Sequence, residues 1–462
     1  MDRTIAAQFS DYAALVTKAP IAIEDVQKQL RSNEAMLLFT TTSRATFVWT
    51  VTRADVRWHA AELGEKQLIE AVGALRCGLD AEAWLDKAST CAQKLGRKNS
   101  LGADEPLPFD QERAVALYQA LLGPVARDID GKELILVPSG PLATLPFQVL
   151  LTEKPDAGGD RTKVPWLVRR FATTVLPSVS SLKALRQVAR KTAASKPFLG
   201  VGNPLLDGDG SSDLSMARAK LARQIQTCAA IPPQPAQVAQ RNLRAVDALS
   251  GGTADIAQLR RQMPLPETAL ELCAVANTFS PVKGDVVLAG DATETKMKAL
   301  GQSGDLAKYR VLHFATHGAL AGQVRGSIEP GLILSPPTAP TSTDDGYLSS
   351  SEISGLKLDA DWVILSACNT AGGQAANSEA FSGLARAFFY AGTRALLVSH
   401  WAVNSDAAVA ITTGTIDAMN GHPDVGRAEA LRRSISALVA KGGENARPGT
   451  WAPFVLVGAS AM

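Results

Sequence analysis

The apolar positions of this chain fall into short runs of two different periods, and the way they alternate is that of an α/β protein. Near the start, residues 24–32 read as a helix. Residues 35–41 and 45–51 read as two strands, joined through Thr42, Ser43 and Arg44 as a hairpin, and residues 64–95 as a helical stretch. A helix over 111–126 then precedes a strand over 133–137, and strands at 172–176 and 197–201 flank a helix at 181–191. Beyond residue 266, helices at 267–278, 293–300, 350–354, 383–390, 405–419 and 427–440 alternate with strands at 285–288, 310–315, 331–334, 362–366, 395–399 and 454–457. The runs 311–314, 363–365 and 396–398 are almost wholly apolar, as central parallel strands buried on both faces should be. The predicted fold class is α/β, a largely parallel sheet flanked by helices.

Four segments follow from this pattern. Residues 1–104 form a helix, hairpin and helix region, and residues 105–204 a first strand–helix set. Residues 266–462 form a second and more regular set. Between the two sets, residues 205–265 break the periodicity with Gly208-Asp209-Gly210-Ser211-Ser212, Pro232-Pro233-Gln234-Pro235 and Ser250-Gly251-Gly252. Such stretches predict an insertion, partly mobile, that displays Arg241, Arg244, Arg260 and Arg261.

Composition narrows the function classes. With 46% hydrophobic and 20% charged residues the 462-residue chain is of globular type, and its net charge is only +2. Neither sign dominates, which argues against nucleic acid or a membrane surface as the main partner. No stretch approaches the ~18 apolar residues of a membrane helix, and the first thirty residues lack a secretory pattern. The five cysteines are odd in number, scattered and without CxxC spacing, so neither a disulfide framework nor a zinc site is expected. That usage suggests a reducing cytosol and a cytoplasmic location. No cofactor and no metal is expected.

The candidate chemistry sits where two buried strands end. One runs into Thr316-His317-Gly318 and the other into Ala367-Cys368-Asn369-Thr370, 51 positions later. Ligands of open α/β sheets bind beyond the carboxyl ends of the strands, so both residues should reach one edge. A thiol near its ordinary pKa of ~8.5 is mostly protonated at neutral pH and needs a neighbouring base. An imidazole supplies that base and later protonates a leaving amine. The N–H groups of Gly318 and Cys368 can serve as oxyanion donors. Taken singly, Cys368 reads as a small buried hydrophobe and His317 as a loop histidine. Together, at the ends of neighbouring buried strands, they read as a dyad. His313 reads as a core histidine or one that supports the site, and His400 as structural or near the cleft. Glu379 and Ser382 read as residues that order the glycine-rich segment after Cys368, or for Glu379 as a helix N-terminal carboxylate.

The boxes His313-Phe314-Ala315-Thr316-His317-Gly318 and Leu365-Ser366-Ala367-Cys368-Asn369-Thr370-Ala371-Gly372 resemble the His and Cys boxes of CHAT domains, caspase-like peptidases related to separase. The resemblance extends to Asp345-Gly346-Tyr347-Leu348, Gly383-Leu384-Ala385-Arg386-Ala387-Phe388 and Trp451-Ala452-Pro453-Phe454, covering about residues 105–462. It implies a cysteine endopeptidase with Cys368 as nucleophile, His317 as base and Gly318 as oxyanion donor. Residues 105–204 would then be an inactive, supporting caspase-like half. A protein substrate and a regulatory partner or tetratricopeptide-repeat module are implied with it. Relatives often carry acidic residues after Trp-x-Val, where Trp401-Ala402-Val403 is followed by Asn404, Ser405 and Asp406. A buried Asp406 would favour a basic P1 side chain, whereas an Asp406 that caps the following helix would not. Self-cleavage at an Arg of the insertion is a corollary. The alternatives are a catalytically silent scaffold that binds a protein segment, and an acyl hydrolase or transferase using the same dyad.

Overall fold

The computed structural model describes residues 21–81, 84, 88–97, 105–156, 158–188, 192–210, 212–230, 253–279, 281–341, 343–366, 383–401, 403–422 and 424–460. Two compact units emerge, one of residues 1–189, 373–380 and 418–462, the other of residues 190–372 and 381–417. These units do not follow the four segments read from the sequence.

In the first unit the expected hairpin forms. Strand β1 (Glu34–Thr41) pairs antiparallel with β2 (Thr46–Thr52), and a third strand that the pattern did not mark, β3 (Val56–Ala61), extends it. On the other side β1 pairs in parallel with β4 (Glu133–Val137), and β4 with β5 (Thr173–Val175). The last strand, β14 (Phe454–Gly458), pairs in parallel with β5, so the C-terminal segment is built into the first unit. Its Trp-Ala-Pro-Phe motif is structural there. Trp451 meets the Trp166 ring edge-on at 5.3 Å, and Gln148 Nε2 donates to the carbonyls of Ala452 and Phe454 at 3.0 and 2.8 Å.

The second unit holds a parallel sheet of β6 (Lys196–Pro204), β7 (Asp285–Ala289), β8 (Tyr309–Ala315), β12 (Trp362–Leu365) and β13 (Ala395–Ser399). Their order, β7-β6-β8-β12-β13, is the 2-1-3-4-5 order of a doubly wound sheet. The largely parallel, helix-flanked fold expected from the sequence is the fold observed. A small antiparallel sheet of β9 (His317–Ala319), β10 (Gly331–Ile333) and β11 (Tyr347–Ser349) stands beside it.

The helix Glu267–Thr278 packs closely on β6, and two glycines permit it. A Cβ on Gly200 would lie 2.9 Å from Leu272 Cδ2, and one on Gly202 would lie 2.7 Å from both Leu272 Cδ1 and the Ala315 carbonyl oxygen. Their role is close packing.

The expected insertion is partly integrated into this unit. Ser212 caps a helix over Asp213–Gln224, and Asn203, at the end of β6, donates its amide to the carbonyls of Ala222 and Ile225. Asn203 adopts a positive φ of 49°, which its short polar side chain tolerates. From that helix Arg218 reaches the Pro264 carbonyl at 2.9 Å and pairs with Glu267. Arg260 donates to the Pro336 and Pro337 carbonyls at 3.2 and 3.0 Å and is not the displayed side chain predicted. Arg241 and Arg244 lie outside the described residues.

The cysteines correct a second expectation. Cys77 is bonded to Cys91 and Cys228 to Cys273, with Cα separations of 5.4 and 5.7 Å. Helix packing brings together cysteines whose spacings of 14 and 45 residues form no recognisable framework. The inference of a reducing cytosol thereby loses its basis. No helix among the described residues is long and apolar enough to cross a membrane, and none of their side chains cluster as a metal site.

Candidate active site

Three segments of the second unit converge at the carboxyl ends of its strands. His317 follows β8 after Thr316 and opens β9, where it faces Ile333 of β10 in register and is buried. The preceding Thr316 donates its hydroxyl to the Ile333 carbonyl, which fixes the turn from one sheet to the other. His317 Nε2 lies 2.8 Å from the Met263 carbonyl oxygen. A carbonyl only accepts, so Nε2 carries the proton and the lone pair of the neutral ring is on Nδ1. This orientation makes Nδ1 the basic face of the imidazole.

The Met263 carbonyl is itself held in place. Arg218 binds the next carbonyl, Thr268 Oγ1 donates to that of Leu265 at 2.7 Å, and the Asn203 N–H donates to Thr268 Oγ1 at 2.8 Å. None of these partners was evident in the sequence. A backbone carbonyl has no sequence signature, and the Arg218–Glu267 pair spans 49 positions.

Gly318 is buried in β9 opposite Leu332. Cys368, Glu379 and Ser382 lie outside the described residues, which resume at the helix Gly383–Ala391. The strand that leads to Cys368 is described. Beta strand β12 pairs in parallel with β8 through Trp362↔Val311, Val363↔Leu312, Ile364↔His313 and Leu365↔Phe314, a constant offset of 51 (362 − 311). The Ser366 N–H continues the ladder to the Phe314 carbonyl at 3.1 Å.

The residues after β13 are arranged differently from expectation. Trp401 and His400 are buried side by side, their rings 6.2 Å apart. Asn404 caps the helix Ser405–Gly421, its side-chain oxygen accepting the Ala407 N–H at 3.1 Å. Ser405 begins that helix and Asp406 stands exposed on its first turn. Asp406 is therefore neither the buried carboxylate nor the cap considered for it. The signal that assigns the cap was available, since Asn directly before a helix is a preferred capping residue.

The Asp-Gly-Tyr-Leu motif braces the small sheet. Glu294 Oε2 accepts the N–H groups of Asp345 and Gly346 at 2.8 and 2.9 Å, and Lys298 bridges Glu294 to Glu352. Gly346 has a φ of +82°, and a Cβ there would lie 2.6 Å from Pro336 Cα. Burial pushes the Glu294 carboxyl up to about 7, against the pull of Lys298 and the Asp345 N–H. For Glu352, where burial also acts upward, the bonds from Lys298 and Ser349 prevail and hold it below its ordinary range. Between about pH 4.5 and 7 the folded chain thus binds more protons at Glu294 than the unfolded chain, and stability falls as pH rises through that window. Glu294→Gln is expected to flatten this slope, by about 2–5 °C of Tm between pH 5 and 8 in thermal melts.

The family model for the CHAT domain matches residues 111–459. The chain belongs to the CHAT-domain family. No curated protein matches it. Among solved structures, this CHAT protein is similar to separase in the Saccharomyces cerevisiae separase–securin complex. That match has 9% identity and a TM-score of 0.47, and covers 94% of this chain and 30% of the separase chain. It is also similar to the Arg-specific cysteine proteinase gingipain R, with 8% identity, a TM-score of 0.37, and coverage of 93% and 78%. The chain thus spans under a third of the separase chain it matches.

Proposed function

We propose that this CHAT protein is a cysteine endopeptidase acting on a protein substrate, with Cys368 as nucleophile and His317 as general base. The observation that carries the reading is the register. The offset of 51 between β8 and β12 equals the separation of positions 317 and 368, so a shared strand level would bring thiol and imidazole together. Nδ1 of His317, oriented by the Met263 carbonyl, takes the thiol proton. The thiolate attacks the scissile carbonyl, the N–H groups of Gly318 and Cys368 receive the oxyanion, and the imidazolium returns its proton to the leaving amine. Water then hydrolyses the thioester.

The buried position of His317 favours a regulated enzyme, because an enclosed imidazole meets a peptide only after local opening. A protein partner or a tetratricopeptide-repeat module is the regulator that the family resemblance implies. Asp406 would favour a basic P1 side chain only weakly, since its carboxylate is exposed to water. For location, the two disulfides weigh against the cytoplasm and for a compartment in which thiols oxidise. Digestion of a proteome-derived peptide library by wild type, with Cys368→Ala as control, tests the activity and reads the P1 preference together.

A further inference from the structure

The second unit buries a polar trio that the proposed reaction does not use. His313 lies on β8, and its register partner on β12 is Ile364, so Ser366 two residues further on points to the same face of the sheet. Gly200 of β6 is the other register partner of His313, and the helix Glu267–Thr278 closes onto that face over the glycines. The helix delivers Glu271, whose Oε1 is 2.9 Å from His313 Nε2. Ser366 Oγ is 3.0 Å from the same nitrogen, and the Phe198 ring stands edge-on to the imidazole at 6.2 Å. Glu271, His313 and Ser366 all have 0% exposure.

One feature decides what this trio can do. Both contacts converge on one imidazole nitrogen, whereas a nucleophile–base–carboxylate relay uses the two ring nitrogens separately. A second active site of that kind is excluded. Yet a carboxylate and an imidazole cost several kcal/mol to desolvate, and apolar residues of similar volume would serve the packing as well or better. What the trio supplies and an apolar core does not is a directional anchor on the last residue of the Cys strand. Two residues of chain span at most ~7 Å, so fixing Ser366 restrains where Cys368 can lie.

We propose that Glu271, His313 and Ser366 form a buried positioning device that sets the end of β12 and thereby the placement of Cys368 against His317. This rests on the dyad reading above. The Glu271 carboxylate lies against the His313 ring, and the ring hydrogen-bonds the Ser366 hydroxyl. The other titratable groups on these elements are Glu267, paired with Arg218, Lys196 and Tyr309, which bond each other and Asp285, and Arg310, paired with Asp361; His317, just beyond β8, bonds the Met263 carbonyl.

Alkylation of the thiol tests this without any peptide substrate. Cys77, Cys91, Cys228 and Cys273 are tied up in disulfides, so under non-reducing conditions iodoacetamide reports on Cys368. Wild type should label with a midpoint pH below the ordinary thiol value of ~8.5. Ser366→Ala should raise that midpoint by about one unit, a tenfold slower reaction at neutral pH, with an unchanged circular dichroism spectrum. Ser366→Thr, which keeps the hydroxyl, should restore it. Glu271→Gln, which keeps the shape and removes the charge, should shift the midpoint in the same direction. It serves where Ser366→Ala does not fold. Profiles of Ser366→Ala and Glu271→Gln superposable on wild type, while His317→Ala is shifted, overturn the positioning role alone. A His317→Ala profile that matches wild type overturns the dyad and this proposal with it.

Discussion

Replacing His317 by Ala is expected to lower kcat/KM for peptide hydrolysis by about 10²–10⁴-fold, the usual worth of a positioned general acid–base group. The loss should fall mainly on kcat. In the proposed mechanism the imidazole acts on the thiol and the leaving amine, whose protons move in the transition state, and contributes little to holding the substrate. The folded structure should survive, because the bond described for the ring, to the Met263 carbonyl, is worth about 1–3 kcal/mol. His317→Gln is the informative companion. Its amide can still donate to that carbonyl but has no basic nitrogen, so it should be as inactive as His317→Ala while melting closer to wild type.

The second large effect is on stability, at Arg218. Arg218 is 7% exposed and Glu267 2%, and removing one partner strands the other charge in the interior. Arg218→Ala is expected to cost about 3–5 kcal/mol. That corresponds to a Tm lower by roughly 10 °C, since 1 kcal/mol moves a domain of this size by a few degrees. The same guanidinium holds the Pro264 carbonyl next to Met263, so turnover should drop as well, through the carbonyl that orients His317. The double variant Arg218→Met with Glu267→Leu separates the two effects. It removes both charges, so it should recover much of the stability but not the lost Pro264 contact. A single variant that melts with wild type would show that the pair is not the buried brace described.

The parts of the fold legible in the sequence were those that depend on local periodicity. Central strands β8, β12 and β13 are buried on both faces and read as apolar runs, and the β1–β2 hairpin reads from two adjacent β-rich runs, although its turn is the four residues 42–45 and not the three expected. The equal spacing of His317 and Cys368 from paired positions on β8 and β12 is also written in the sequence, although only the register gives it meaning. The strands β9 and β11 were not legible because three residues are too few to show a period. The disulfides were not legible because helix packing, not spacing, brings Cys77 to Cys91 and Cys228 to Cys273. The Arg218–Glu267 pair and the Met263 carbonyl depend on how a segment read as an insertion folds back, and no local rule reports that. Asp406 was misjudged for a different reason. Its neighbour Asn404 held the capping position, and an acidic residue in the first helical turn is favourable there without any ligand.

The most direct test of the central claim is to incubate wild type and Cys368→Ala with the same proteome-derived peptide library and sequence the new termini by mass spectrometry. A Cys–His peptidase predicts a set of wild-type cleavages sharing a common residue before the scissile bond, all of them missing from the Cys368→Ala digest. The same cleavages persisting in Cys368→Ala would contradict it.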